Sequence, residues 1–172
     1  MTRLVLSFVC WLGMVSGLVA KDDVYLKPSA FIGRTFPMAK PQAGALKLSA
    51  SMQTEIKKIM GRAYSPRVVR YWTDGKTTAW ILNEIGKTLP ITTGYVVSDG
   101  KIRQVEVLIY RESHGWEVRQ PFFTKQFKGA ELKPGNKLTK RIDNIAGATL
   151  SVRALTKMSK LALYLESQRQ KS

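Results

Sequence analysis

Residues 142–154 read IDNIAGATLSVRA, and this stretch holds the residue types best placed to do chemistry. Gly147 and Ala148 carry no side chain or only a methyl, so backbone can approach a bulky group closely there. Thr149 falls at the cap or first turn of the helical pattern that follows, where free N–H groups and the helix dipole favour an anion. A phosphate is the natural guest. Taken alone, the stretch favours a purely structural role: threonine is a common helix cap, and Asp143 could simply hold the loop.

The elements around this stretch are legible from periodicity and turn chemistry. After it, Leu150, Ala154, Leu155, Met158, Leu161, Ala162 and Leu165 recur at helical spacing. Upstream, residues 68–73 and 77–85 flank Asp74-Gly75-Lys76. Residues 92–97 and 102–110 likewise flank Ser98-Asp99-Gly100-Lys101. An Asp-Gly pair between β-rich runs predicts a hairpin, so two consecutive antiparallel hairpins are expected. In the last run Val105, Val107 and Ile109 are expected on one apolar face, alternating with Glu106, Leu108 and Tyr110. Residues 49–62 place Met52, Ile56, Ile59 and Met60 on one side of a short helix, with a serine cap and Gly61 as its stop. Residues 116–129 predict an aromatic loop and a short helix ending near Gly129, and Pro134-Gly135 marks a turn in a polar segment. The expected class is α+β: a twisted antiparallel sheet of hairpins packed by a few helices in one domain. Residues 49–172 are that domain, and residues 21–48, with scattered Pro and Gly, are expected to be an irregular lead-in.

Residues 1–20 stand apart. Arg3 precedes LVLSFVCWLGMVSGLVA, an apolar run without charge at residues 4–20, and KDD follows at once. This is the pattern of a secretory signal peptide or, uncleaved, of a short anchor, and it implies export. The one cysteine, Cys10, lies inside the run, which excludes disulfides, Cys-ligated zinc, iron–sulfur clusters and CxxCH haem attachment for the exported domain. His114 is the one histidine, so no histidine-rich metal site can form either. Any redox cofactor must be organic. The chain carries a formal charge of +16. Outside the cytoplasm the fitting counterparts are an anionic membrane surface, an acidic partner protein or a phosphorylated ligand. No aromatic-basic signature for nucleic acid is present, so nucleic acid is not an expected partner.

Asp143, Gly147, Ala148 and Thr149 match a motif of aspartate, two variable residues, Ser or Thr, then Gly-Ala-Thr, with Ala146 standing where a hydroxyl residue is usual. On these residues the chain resembles the FMN-binding domain of the C subunit of sodium-pumping NADH:quinone reductases, the G subunit of Rnf complexes and NosR-type proteins. SDGKIRQVEVLIYRESHG resembles the family's strand, Asp-Gly-Lys turn, strand and Glu-x-x-Gly loop, with Glu112 and Gly115 in place. FFTKQFKG resembles the aromatic helix that follows. The likeness runs over residues 94–165.

The resemblance implies FMN joined by a phosphoester to the Thr149 hydroxyl, installed by an exported flavin transferase that uses FAD as donor and magnesium as cofactor. Asp143, Gly147 and Ala148 would form the recognition motif, with Leu150 and Ser151 alongside and Ser151 a candidate substitute for the hydroxyl that Ala146 lacks. Glu112 and Gly115 would order the loop. Trp116 and Phe127, with Phe122 and Phe123, are candidate walls for the ring. Arg153 and Lys157 face either the phosphate or solvent. His114 falls where proline is usual in the family and is a candidate proton donor.

Three functions are compatible with these features. The first is an exported electron carrier, periplasmic or on the outer face of the inner membrane, which docks a membrane-associated redox protein or cytochrome. The second is a flavin-dependent reductase of an external small molecule. The third is an unflavinylated basic module that binds a membrane or partner surface. No separate catalytic constellation accompanies the motif, which favours the carrier.

Overall fold

The computed structural model describes residues 23–171, so the leader expected at residues 1–20 lies outside the described residues. Six strands form one antiparallel sheet: β1 (Asp23–Val24), β2 (Gln42–Lys47), β3 (Val68–Thr73), β4 (Thr77–Ile85), β5 (Pro90–Ser98) and β6 (Lys101–Tyr110). Their order across the sheet is β1-β6-β5-β4-β3-β2. Both expected hairpins are present, β3 with β4 and β5 with β6. The Asp-Gly turns hold for identifiable reasons: Asp74 Oδ1 accepts from the Lys76 and Thr77 N–H groups, and Asp99 takes a positive φ of 52° beside Gly100.

Helices cover both faces. On one side α4 (Thr149–Arg169) lies across β4, β5 and β6 with α2 (Ala50–Met60) beside it. Trp80, Leu82, Tyr95, Val105 and Val107 of the sheet meet Ile56, Met60, Leu155, Met158 and Leu161 there. The Tyr95 hydroxyl donates to the Leu155 carbonyl at 3.0 Å, tying the helix to the central strand. The α2 caps are the expected ones: Ser49 Oγ accepts from Met52 N at 3.2 Å, and Gly61 closes the helix in the left-handed conformation.

The segment expected to be an irregular lead-in is ordered, and this corrects the sequence reading. Residues 23–48 supply both outer strands of the sheet, β1 against β6 and β2 against β3, together with α1 (Pro28–Thr35). Helix α1 covers the opposite face, where Phe31 packs with Ala79, Val96 and Leu108. The alternation predicted along β6 is corrected too. Register shifts at Thr92/Thr93 and Val96/Val97 put extra residues in β6, so Val105, Val107 and Tyr110 face α4 while Leu108 and Ile109 turn toward α1. The polar segment after Gly129 contains a small hairpin of β7 (Leu132–Lys133) and β8 (Lys137–Leu138) around the expected turn.

Gly94 makes the α1 face possible. A Cβ at this position would lie 2.5–2.8 Å from three atoms of the Phe31 ring. Gly94→Ala is therefore expected to lift α1 from the sheet and to cost about 1–3 kcal/mol, an overpacking penalty. A thermal melt checks this, and an unchanged midpoint would show that Phe31 does not seat on Gly94.

Candidate functional site

The start of α4 is assembled from two loops. The first, residues 111–115, leaves β6 and is pinned at both ends. Glu112 Oε1 accepts the backbone N–H groups of Lys87 at 2.6 Å, Thr88 at 2.6 Å and Leu89 at 2.9 Å, and Oε2 accepts the Thr88 hydroxyl at 3.1 Å. The carboxylate thus fastens the β4–β5 turn to the loop. Partial burial opposes its ionisation, but the hydrogen bonds outweigh that and hold its pKa below the ordinary 4.5.

The sign of the resulting pH dependence follows from a lowered folded-state pKa. The contribution is fully present above the unfolded value near 4.5 and is lost as pH falls through the folded value. Glu112→Gln should therefore cost about 1 kcal/mol at pH 7, allowing for screening at a partly exposed site. The difference from wild type should close as pH drops below the ordinary carboxylate range. Urea midpoints at pH 7 and at a pH well below the ordinary carboxylate range test it; a gap that persists at the acid end would rule out the ionised carboxylate as the cause.

At the other end, Gly115 adopts φ +84° and packs against the first turn of α4. The Tyr110 hydroxyl donates to the His114 carbonyl at 2.6 Å, so Ser151 must donate to Tyr110 across their 2.8 Å contact. Burial, only partly offset by the Ser151 hydrogen bond, pushes the Tyr110 pKa up to about 12, so it stays a donor at physiological pH.

The second loop is the motif itself. Gly147 takes φ +82°, a conformation that glycine adopts without strain, and turns the chain into α4. Ala148 is the cap residue and offers no side-chain hydrogen bond. Thr149 is therefore not the cap; it is the first helical residue. The N–H groups of the first turn precede the first intrahelical bond, Val152 N to Ala148 O at 2.9 Å. The Thr149 hydroxyl is partly exposed and accepts from Asn144 Nδ2 at 2.9 Å.

Between the loops lies a groove of about 450 Å³ lined by Lys87, Glu112, His114, Gly147, Thr149, Leu150 and neighbouring atoms of Ser113, Ala148 and Ser151. The structure thus brings Glu112, Gly147, Ala148, Thr149, Leu150 and Ser151 together as the sequence reading expected. Leu150, however, is 43% exposed on the groove and does not belong to the buried stripe of α4. Gly115 is buried behind the groove as packing.

Other candidates fall elsewhere. Phe127 is fully buried, edge-on to Phe123 at 5.5 Å, so both are core and neither walls the groove. Trp116 is exposed outside the groove lining, in a stack where the Arg119 guanidinium lies 4.1 Å from the Tyr25 ring and 5.2 Å from the Trp116 ring. Asp143 is exposed, 3.5 Å from Arg141, with its N–H held by Gln126 Oε1 at 2.8 Å. Arg153 faces solvent, and Lys157 reaches toward Gly61 at the end of α2, so neither lines the groove. The Ser151 hydroxyl, the candidate substitute for the one absent at Ala146, lies 2.8 Å from the Tyr110 hydroxyl.

Asn144, Tyr110 and Lys87 were not singled out in the sequence. Asn144 had one available signal, its place directly after Asp143 and five residues before Thr149.

The donor set fits a phosphate. It comprises a helix start with no side-chain cap, a hydroxyl on the groove, a lysine in the same lining, and a glycine turn at which an added Cβ would meet nothing within 4 Å. Residues 86–164 match the family described as the FMN-binding domain, which supports FMN as the cofactor. The match opens at Gly86, on the turn that Glu112 fastens. No curated protein matches the chain.

Proposed function

We propose that this protein is an exported electron-transfer flavoprotein in which FMN is esterified through its phosphate to Thr149. The observation that carries this reading is the Thr149 hydroxyl: it opens α4 on the groove, does not cap the helix, and its one hydrogen bond is from Asn144. A hydroxyl spent on capping would be unavailable for attachment. Bound FMN supplies reversible one- and two-electron transfer.

The chain's own residues anchor and shape that chemistry. Thr149 would provide the ester oxygen, Asn144 would orient it, and the first-turn N–H groups would face the phosphate. Leu150 and the Gly147–Ala148 backbone would border the cofactor. Esterification would make retention independent of free flavin, which suits a protein outside the cytoplasm. An exported flavin transferase with FAD as donor and magnesium as cofactor would install the group. The electron partner would be a membrane-associated redox protein or cytochrome. The basic surface would assist docking on it or on an anionic membrane, with binding that weakens as salt rises.

The test is the intact mass of the protein recovered from cells that export it together with a flavin transferase. A gain of one FMN less one water, with fluorescence retained after denaturation, is expected. An unchanged mass would overturn the covalent reading.

One feature favours a second reading, a reductase of an external small molecule. His114 lines the groove with Nδ1 2.9 Å from Ser113 Oγ, a placement suited to proton delivery. Reoxidation of the reduced flavin by a small acceptor, without any redox protein, would favour that reading over the carrier.

A further inference from the structure

The groove has a cation whose placement the rest of the site does not explain. Lys87 lies on the β4–β5 turn, and its backbone is fixed there by the 2.6 Å bond from its N–H to Glu112. The turn has little room to shift: a Cβ on Gly86 would stand 3.0 Å from both Glu112 Oε1 and Ile91 Cδ1. The chain thus spends a buried contact, a glycine and a carboxylate on holding this turn beside the start of α4.

The charges of the groove are unequal in what they leave uncompensated. The Glu112 carboxylate is covered by three N–H groups and a hydroxyl. Asp143 lies outside the lining and near Arg141. Lys87 is the one lysine or arginine among the lining residues, and among the described residues its ammonium forms no ion pair. An exposed lysine is ordinarily just solvated. This one shares the lining of the groove with a helix start and a hydroxyl that both suit a phosphate.

We propose that Lys87 is the phosphate-binding cation of the site, pairing with the FMN phosphate alongside the first turn of α4. The inference rests on the FMN reading and adds a residue to it. The helix N–H groups and Thr149 give directional hydrogen bonds, whereas the ammonium supplies a full charge. Glu112 acts here as a positioning residue, through the turn it holds.

Phosphate recognition separates FMN from riboflavin, which shares the ring and ribityl chain but lacks the phosphate. The full-length protein, purified from cells without a flavin transferase, is titrated with each flavin at low and high salt and followed by flavin fluorescence. FMN should bind more tightly than riboflavin, with an advantage that shrinks as salt rises. Lys87→Gln should weaken FMN about tenfold, flatten its salt dependence and leave riboflavin unchanged, while Lys87→Arg should keep most of the FMN affinity. Unaltered FMN affinity and salt dependence in Lys87→Gln would overturn the assignment and leave the FMN reading standing. If the wild type binds neither flavin, the assignment of Lys87 falls, while the FMN reading stands or falls on the mass gained with the transferase.

Discussion

Thr149→Ala is expected to carry no covalent flavin under conditions that load the wild type fully, and to keep its fold. The variant removes the Thr149 hydroxyl, which opens onto the groove from the first residue of α4, so no ester can form at that position. The accompanying stability change separates attachment from capping. A threonine that capped the helix would cost about 1 kcal/mol on replacement by alanine. Thr149 does not cap, and its hydroxyl has one hydrogen bond, from the exposed Asn144, so the loss should stay within about 0.5 kcal/mol. Thr149→Ser keeps a hydroxyl and should load, more slowly if the methyl group restricts the rotamer. In-gel flavin fluorescence after denaturation, read beside the thermal midpoint, measures both quantities. Covalent flavin persisting in the alanine variant would move the attachment elsewhere in the chain.

Gly115→Ala should be the most damaging substitution near the groove, although residue 115 does not line it. Two penalties coincide at this position. The backbone sits at φ +84°, which costs an alanine roughly 1–2 kcal/mol. The new Cβ would stand 2.8 Å from Ser151 Oγ, 3.0 Å from the Tyr110 hydroxyl and 3.4 Å from the Ala148 Cα. The first two atoms belong to the Tyr110–Ser151 hydrogen bond, and the third is backbone just before the helix. Relief of the clash must therefore break a buried hydrogen bond or push α4 away from the loop. A total loss of about 2–4 kcal/mol is expected, with FMN loading reduced even in the fraction that folds. Urea denaturation and flavin titration test the two effects separately. Normal stability with normal loading would mean that the loop does not pack on the helix start.

The parts of this molecule that were legible in the sequence are those specified locally. β3 and β4 follow from β-rich runs around an Asp-Gly pair, and α2 from its serine cap, its apolar stripe and Gly61. The first helical turn at Thr149 was legible because Gly-Ala precedes a long apolar period. What stayed hidden depends on partners distant in sequence. β2 reads QAGALK, with small and polar residues typical of an edge, and becomes a strand through its pairing with β3. β1 is two residues long and exists through β6. The bulges that re-aim Ile109 and Tyr110 arise from the register between two strands, which neither strand encodes alone.

The site divides in the same way. Glu112, Gly115 and Thr149 were legible as a pattern, whereas the reach of Glu112 to a turn more than twenty positions earlier, and with it the delivery of Lys87, is tertiary. Phe127 was misplaced because an aromatic beside a predicted cofactor motif and an aromatic in a core look identical until the burial is known.

The pairing of Asp23 with Tyr110 has a consequence for the order in which the molecule is made. The first strand has no partner until β6 emerges, roughly 90 residues later, and closing so long a loop is entropically costly. Until the two strands pair, the far edge of β6 stays open to intermolecular pairing. The residue on which the first strand closes is also the one whose hydroxyl joins the His114 carbonyl to Ser151. The pairing that completes the sheet thus ends on a residue that also braces the groove. A chain trimmed past Leu26 would lose the bonds from Tyr25 and Leu26 to the Leu108 carbonyl, and the loss would reach the groove through Tyr110.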